Sequence, residues 1–467
     1  MYARLKDEYV LRGWKGIPYG LVNTKNGGVT FLSPENFALL EYLDGETSLD
    51  LVLLSSSQRK ALAGIIEKGI AVSLEHPRAI RKTQGYKKSP GYYLENLHWS
   101  ITGACNLRCK HCYMGAPEHK YPDMDTEQCL RIIRQMADAN VAAVTITGGE
   151  PLMRQDFWRL LDAFSAAEIA VKQIYTNGTL IDHVFFENLE RRNLKPVFVL
   201  SFDGLGCHDW MRGIQGTEEK TIRAIRRLRE KGFRVSIETA LYAGNIDRLL
   251  PTYELLKDLG VDCWKTSAVF DSEEWGKQKN ETLNAETLYG WYIELAKRYI
   301  DEGQIMDIQL DGFFGGDKNG KRYIPYVKSL PPAPDPAAGL AGYSCLSCRV
   351  HPYLLPDGRL LPCPPFTGTF VEQDMPNLRD AALGDIFSQR EGRFFSVVNI
   401  RAGEVIGHNE DCGLCEHRVE CRGGCRGAAV SGKNGLLGKD DRACRFFKEG
   451  YRKEAEKLIL RRQQVKR

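Results

Sequence analysis

Between residues 97 and 310 the chain alternates short apolar, β-branched runs with longer stretches whose apolar positions recur every three or four residues. The runs at 97–102, 142–147, 169–175, 196–201, 234–239 and 261–265 read as strands. Helical periodicity falls between and after them, at 126–139, 155–167, 182–191, 217–231 and 246–258, and 306–310 reads as a last strand. Six such units predict an α/β fold in which a parallel sheet carries its helices outside. Parallel barrels place their active sites at the C-terminal ends of the strands.

The first 85 residues follow another pattern. Runs at 19–22 and 28–32 flank an Asn26-Gly27 turn and predict a hairpin. Ser33 and Pro34 then open a helix with Phe37, Leu40 and Leu43 on one face, a second helix covers 57–68, and 69–74 returns as a strand. The basic, Pro- and Gly-broken stretch that follows reads as a linker at 86–94. The repeating unit then occupies 95–310. Residues 311–343 include Pro331-Pro332-Ala333-Pro334-Asp335-Pro336 and read as a connector loop. A cysteine-rich region spans 344–450, and a basic helix covers 451–467.

At 467 residues the chain is long enough for two or three domains. Its 64 Lys and Arg nearly balance 60 Asp and Glu, so charge gives no case for nucleic acid as a partner. No apolar run approaches the ~18 residues of a membrane span, and the N-terminus lacks a signal-peptide core. The expected location is the cytoplasm, without membrane. Thiols stay reduced there, so 14 cysteines point to metal ligands rather than disulfides.

Three of them, Cys105, Cys109 and Cys112, sit at CxxxCxxC spacing on the loop after the first strand of the repeating unit. Thiolates are the usual ligands of iron–sulfur clusters, and three local thiolates leave one iron of a cubane open. Structural zinc and unrelated thiols are the competing readings. Gly148-Gly149-Glu150-Pro151 ends the second strand, Thr176-Asn177 the third, and Ser201 with Asp203 the fourth.

Together these motifs resemble the radical S-adenosylmethionine (SAM) enzymes. The resemblance implies a partial (β/α)6 TIM-like barrel and a [4Fe–4S] cluster on Cys105, Cys109 and Cys112, whose free iron is chelated by SAM. It implies that Gly148, Gly149, Glu150 and Pro151 face the methionyl amino group. Thr176, Asn177, Ser201 and Asp203 would lie near ribose and carboxylate, Arg212 would pair with the carboxylate, and His111 would stack near adenine. A surface ion pair is the alternative for Arg212, and a solvated loop position the alternative for His111. Glu238 and Tyr242, at the fifth strand's end, are candidates for facing substrate or for satisfying polar groups inside the barrel.

Further on, nine residues separate Cys348 from Gly358 and four separate Gly358 from Cys363. Cys412-x2-Cys415-x5-Cys421-x3-Cys425 follows, and then Cys444. This spacing resembles the SPASM extension, which carries two auxiliary [4Fe–4S] clusters, for three in all. The resemblance assigns Cys345, Cys348, Cys363 and Cys425 to one cluster and Cys412, Cys415, Cys421 and Cys444 to the other. Two structural zinc sites are the alternative. Cys129 and Cys263 read as packing residues and Cys207 as a candidate thiol.

The first 85 residues resemble the winged-helix-like peptide-recognition domain of ribosomal-peptide modification, where a leader peptide adds a strand to a sheet edge. The expected function is therefore a radical SAM peptide maturase that forms a thioether or carbon–carbon cross-link. Its expected partners are a precursor peptide with a leader sequence and a flavodoxin- or ferredoxin-type electron donor. The alternatives are an anaerobic sulfatase-maturing (formylglycine-forming) enzyme, a small-molecule or haem-pathway radical SAM enzyme, and a non-catalytic iron–sulfur scaffold that binds peptides.

Overall fold

The computed structural model describes residues 1–278, 281–326 and 336–463. The N-terminal part holds β1 (Tyr2–Leu5), β2 (Tyr9–Lys15), β3 (Ile17–Asn23), β4 (Val29–Phe31), β5 (Ala71–Leu74) and β6 (Lys87–Tyr92). β4, β3, β2 and β6 form a four-stranded sheet in that order, while β1 pairs with β5. The helix Pro34–Glu41 starts at Ser33, whose side chain accepts the Asn36 amide, and Ser55 and Gln58 box the start of Ser56–Glu67. Leu5, Leu11, Leu21, Phe37, Leu40 and Leu62 share a small core of their own.

Two expectations are corrected here. The linker predicted at 86–94 contains β6, which pairs in parallel with β2. Its Pro90 is tolerated because β6 is an edge strand with a register shift. The connector predicted at 311–343 contains β14 (Phe314–Gly316), β15 (Arg322–Tyr323) and a helix, Pro336–Ala341. Its Pro331–Asp335 run lies outside the described residues.

The large sheet begins with seven parallel strands, β7 (Asn96–Ser100), β8 (Ala143–Thr147), β9 (Ala170–Thr176), β10 (Val197–Ser201), β11 (Val235–Leu241), β12 (Cys263–Ala268) and β13 (Asp307–Leu310). β14 and β15 add antiparallel strands beyond β13. At the other edge β16 (Tyr353–Leu354) pairs in parallel with β7 and antiparallel with β17 (Leu360–Leu361). The described strands thus form an open ladder of eleven. Outside it, the helix Thr126–Asp138 begins at an Asp125 cap and buries Cys129, Ile132, Ile133 and Met136, one face at helical spacing. Sequence reading missed the helix Ala285–Asp301, which buries Tyr289, Tyr292 and Tyr299 with Leu288 and Leu295. The last helix runs from Tyr451 to Leu460 and stops short of the predicted end at 467, of which residues 464–467 lie outside the described residues.

The N-terminal sheet docks on the end of the barrel where its strands begin. The Trp14 indole donates to the Asn140 carbonyl at 3.2 Å, and Asn140 Nδ2 donates to the carbonyls of Gly13 and Lys87. Arg12, Arg81 and Thr83 converge on Glu168, just ahead of β9. The β3–β4 turn plugs this end. A Cβ on Gly27 (φ +72°) would fall 2.5 Å from that of Ala143 and 3.5 Å from that of Ala170. Gly27→Val combines overpacking with a left-handed backbone that suits no β-branched residue. It is expected to destabilise the protein by about 1–3 kcal/mol, read as a lower urea midpoint at unchanged slope.

Candidate active site

The loop that carries Cys105, Cys109 and Cys112 leaves β7 and is held from three sides. From β8, Gly149 N donates to Thr102 O and Glu150 N to Ala104 O, both at 2.8 Å. Gly148 and Gly149 allow this approach, because a Cβ would lie 2.7 Å from the Thr102 carbonyl at the first and 2.3 Å from the Ala104 carbonyl at the second. After β9, Asn177 Nδ2 donates to Asn106 Oδ1 at 2.8 Å, and Asn106 donates onward to Thr179. After β10, the helix His208–Arg212 offers the Arg212 and Met211 carbonyls to the amides of Arg108 and Lys110.

A cavity of about 440 Å³ opens where these elements meet. Its wall includes Cys105, Cys109 and Cys112, then His111, Gly148 and Gly149, and beyond them Thr176, Asn177, Ser201 and Arg212. Of the remaining candidates, Pro151 is buried as the first residue of a 3-10 turn and does not line the wall. Glu150 is fully buried behind Gly149. It accepts from Thr176 Oγ1 and Asn177 N, both at 2.8 Å, and from Leu152 N at 3.1 Å. Burial nevertheless pushes its carboxyl up to about 7, as expected of a buried carboxylate with no cation beside it. An arriving ammonium would supply that missing charge.

Asp203 is also fully buried and lies behind the wall. Its two oxygens accept Arg212 Nε at 2.7 Å and Nη2 at 3.0 Å, and its backbone N–H donates to His208 Nδ1 at 3.1 Å. Arg212 is therefore half of a buried bidentate pair rather than of a surface one. His111 stays neutral, since burial and then the Arg212 charge hold its imidazole down to about 4. Its Nδ1 has no partner among the described residues.

The donor set fits an iron–sulfur cluster. Burial pushes the Cys105 thiol up to about 12 and raises those of Cys109 and Cys112 as well. Thiolates at such positions need metal charge. Each sulfur also accepts an N–H: Cys105 from Leu107 N at 3.4 Å, Cys112 from Ala116 N at 3.5 Å and Cys109 from Arg212 Nη1 at 3.7 Å.

In the C-terminal part, Cys345 and Cys348 bring their sulfurs to 3.5 Å, and Cys363 and Cys425 stand beside them. Cys412, Cys415, Cys421 and Cys444 line a second small cavity together. Pro364, next to Cys363, reaches the wall of the large cavity, so the first quartet borders the site. Asp440 stands between the quartets, accepting the Cys425 amide at 3.0 Å while capping the helix that carries Cys444. Cys129 is fully buried, Cys263 sits in β12, and Cys207 touches the Gly244 carbonyl away from the wall.

Two residues behind the wall, Asp123 and Arg154, carried no sequence signal. Asp123 accepts Gly103 N at 2.7 Å and Thr102 Oγ1 at 2.5 Å, and Arg154 donates to the Ile101 carbonyl at 2.6 Å, so both shape the start of the cysteine loop. On the wall itself, Glu238 accepts from the Tyr175 hydroxyl at 3.2 Å and Lys265 Nζ at 3.4 Å. His98 packs against Tyr175 and Tyr353, each 5.3 Å away. Tyr242 stacks on Trp210 instead and does not line the cavity.

Residues 99–256 match the radical SAM superfamily model. The AdoMet-dependent heme synthase of Oleidesulfovibrio alaskensis is 25% identical over 72% of this chain and 84% of its own length. The mycofactocin maturase MftC of Mycolicibacterium smegmatis is 27% identical over 71% of this chain and 78% of its own. Among solved structures, Streptococcus suis SuiB bound to precursor peptide SuiA superposes with a TM-score of 0.66 at 18% identity, covering 95% of this chain and 99% of that one. Among the described residues no helix is long and apolar enough to cross a membrane.

Proposed function

We propose that this chain, a radical SAM enzyme, is a peptide maturase that cross-links a ribosomally made precursor through a thioether or carbon–carbon bond. Radical SAM enzymes work with a [4Fe–4S] cluster and SAM, which together supply a 5′-deoxyadenosyl radical able to abstract hydrogen from carbon. In this reading Cys105, Cys109 and Cys112 hold that cluster. Gly148, Gly149 and Glu150 receive the ammonium end of SAM, and Thr176, Asn177 and Ser201 its ribose side. The enclosed wall keeps water from the reacting groups. In this reading the two C-terminal quartets would hold auxiliary clusters, and the quartet beside Pro364 borders the cavity, where such a cluster would supply an electron acceptor. A flavodoxin- or ferredoxin-type protein supplies the reducing electron.

The observation that carries the reading is the N-terminal sheet. It is hydrogen-bonded to the barrel through Trp14, Asn140 and Glu168 and ends in the short edge strand β4, where Phe31 is 52% exposed and a leader could pair. MftC is named a maturase, and the SuiB structure holds a precursor peptide, which point the same way. The relatives named heme synthases support the competing haem-pathway reading.

The test is anaerobic incubation of the full chain with SAM, reductant and the short peptide encoded beside its gene. The expected result is 5′-deoxyadenosine together with a peptide lighter by two hydrogens, and loss of peptide binding when residues 1–85 are removed. An unchanged peptide alongside a converted iron porphyrin would overturn it in favour of the haem pathway.

A further inference from the structure

The N–H donors to the three loop sulfurs differ in kind. Cys105 and Cys112 accept from the backbone amides of Leu107 and Ala116. Cys109 accepts from Arg212 Nη1, a side-chain donor with a full positive charge. The guanidinium cannot swing away. Nε and Nη2 are locked on Asp203, which is fully buried, also accepts the Ala240 amide at 3.1 Å, and donates its own backbone N–H to His208 Nδ1 at 3.1 Å. On the far side of His208, Nε2 meets Thr221 Oγ1 at 3.3 Å, so the support reaches into the next helix. Nη1 is the nitrogen left to face the sulfur.

We propose that Arg212 raises the reduction potential of the cluster held by Cys105, Cys109 and Cys112, through its charged hydrogen bond to the Cys109 sulfur, with Asp203 as the positioning residue. The inference rests on the reading of those cysteines as ligands. Reduction adds one electron and no proton to the site. A fixed cation and an N–H···S bond both favour the more negative, reduced form, and burial strengthens them by keeping water's screening away. Asp203 cancels only part of the charge, because the guanidinium stands between it and the sulfur. A carboxylate ligand entering the cavity would meet the same nitrogen, so ligand binding and potential are coupled through one side chain.

The test is an EPR-monitored redox titration of the reconstituted full chain without SAM, following the signal that is absent from Cys105→Ala. Arg212→Gln is expected to move that potential to more negative values. The double variant Arg212→Gln/Asp203→Asn, which leaves no buried unpaired carboxylate, is expected to move it the same way. Arg212→Lys keeps the charge without the fork and is expected to recover part of the shift. An unmoved or more positive potential in a variant with full iron content overturns the inference. Wild-type protein lacking any Cys105-dependent signal would overturn the cysteine reading beneath it, a distinguishable result.

Discussion

Cys105→Ala is expected to abolish 5′-deoxyadenosine formation while leaving the chain folded. The cysteine sits on a cavity-lining loop whose backbone is held by Gly149, Glu150 and the Arg212 segment, none of which needs the thiol. Two sulfurs cannot hold a site-differentiated cubane, so the variant should lose about four irons per chain and retain those of the C-terminal quartets. Anaerobic reconstitution followed by iron analysis and chromatography of the nucleoside products checks both numbers. Turnover at the wild-type rate would exclude these cysteines from the chemistry.

Asp203→Ala is expected to carry the largest stability effect of any single change near the site. Asp203 is wholly buried and its partner Arg212 is 7% exposed. Removing the carboxylate would leave a guanidinium in a low-dielectric setting with two of its nitrogens unmatched. Breaking one side of a buried ion pair costs about 3–5 kcal/mol, and the same change frees the Ala240 amide. Urea denaturation of the apoprotein reads the loss. Burial alone would raise the Asp203 carboxyl, but the Arg212 charge and His208 outweigh it and hold it well below the ordinary range. A depressed acid contributes its stability above the unfolded value. The wild-type advantage over Asp203→Asn should therefore be full at neutral pH and fade only as pH falls through the ordinary carboxylate range and below.

The parts of the molecule that sequence reading reached are those where local chemistry leaves few choices. Strand runs of β-branched residues and the cap at Ser33 predicted their elements because the side chains act within a few residues of themselves. The cysteine spacings belong to the same class. β6 was missed because Lys87, Lys88 and Pro90 look like a solvated linker, and what makes them a strand is an edge supplied by β2. The helix Ala285–Asp301 was passed over because tyrosines at 289, 292 and 299 interleave with the aliphatics of its buried face and blur the apolar period. Asp123, Arg154 and Glu238 are single charged residues whose meaning comes from partners tens of residues away. Asp203 and Glu150 lie just behind the wall, where Asp203 holds Arg212, and Glu150 holds Thr176 and Asn177 while keeping the uncompensated carboxylate that an ammonium would meet.

The pairing of β16 with β7 has a consequence for how the chain is made. Tyr353 lies opposite His98, so 255 residues of synthesis separate the two. At ~5–20 residues per second, the free side of β7 waits on the order of 10–50 s on the ribosome for its neighbour. Through that interval a buried, apolar strand edge is open to other nascent chains. Slower translation or crowded expression should therefore favour insoluble product, and co-expressed chaperones that shield such edges should raise the yield of folded enzyme.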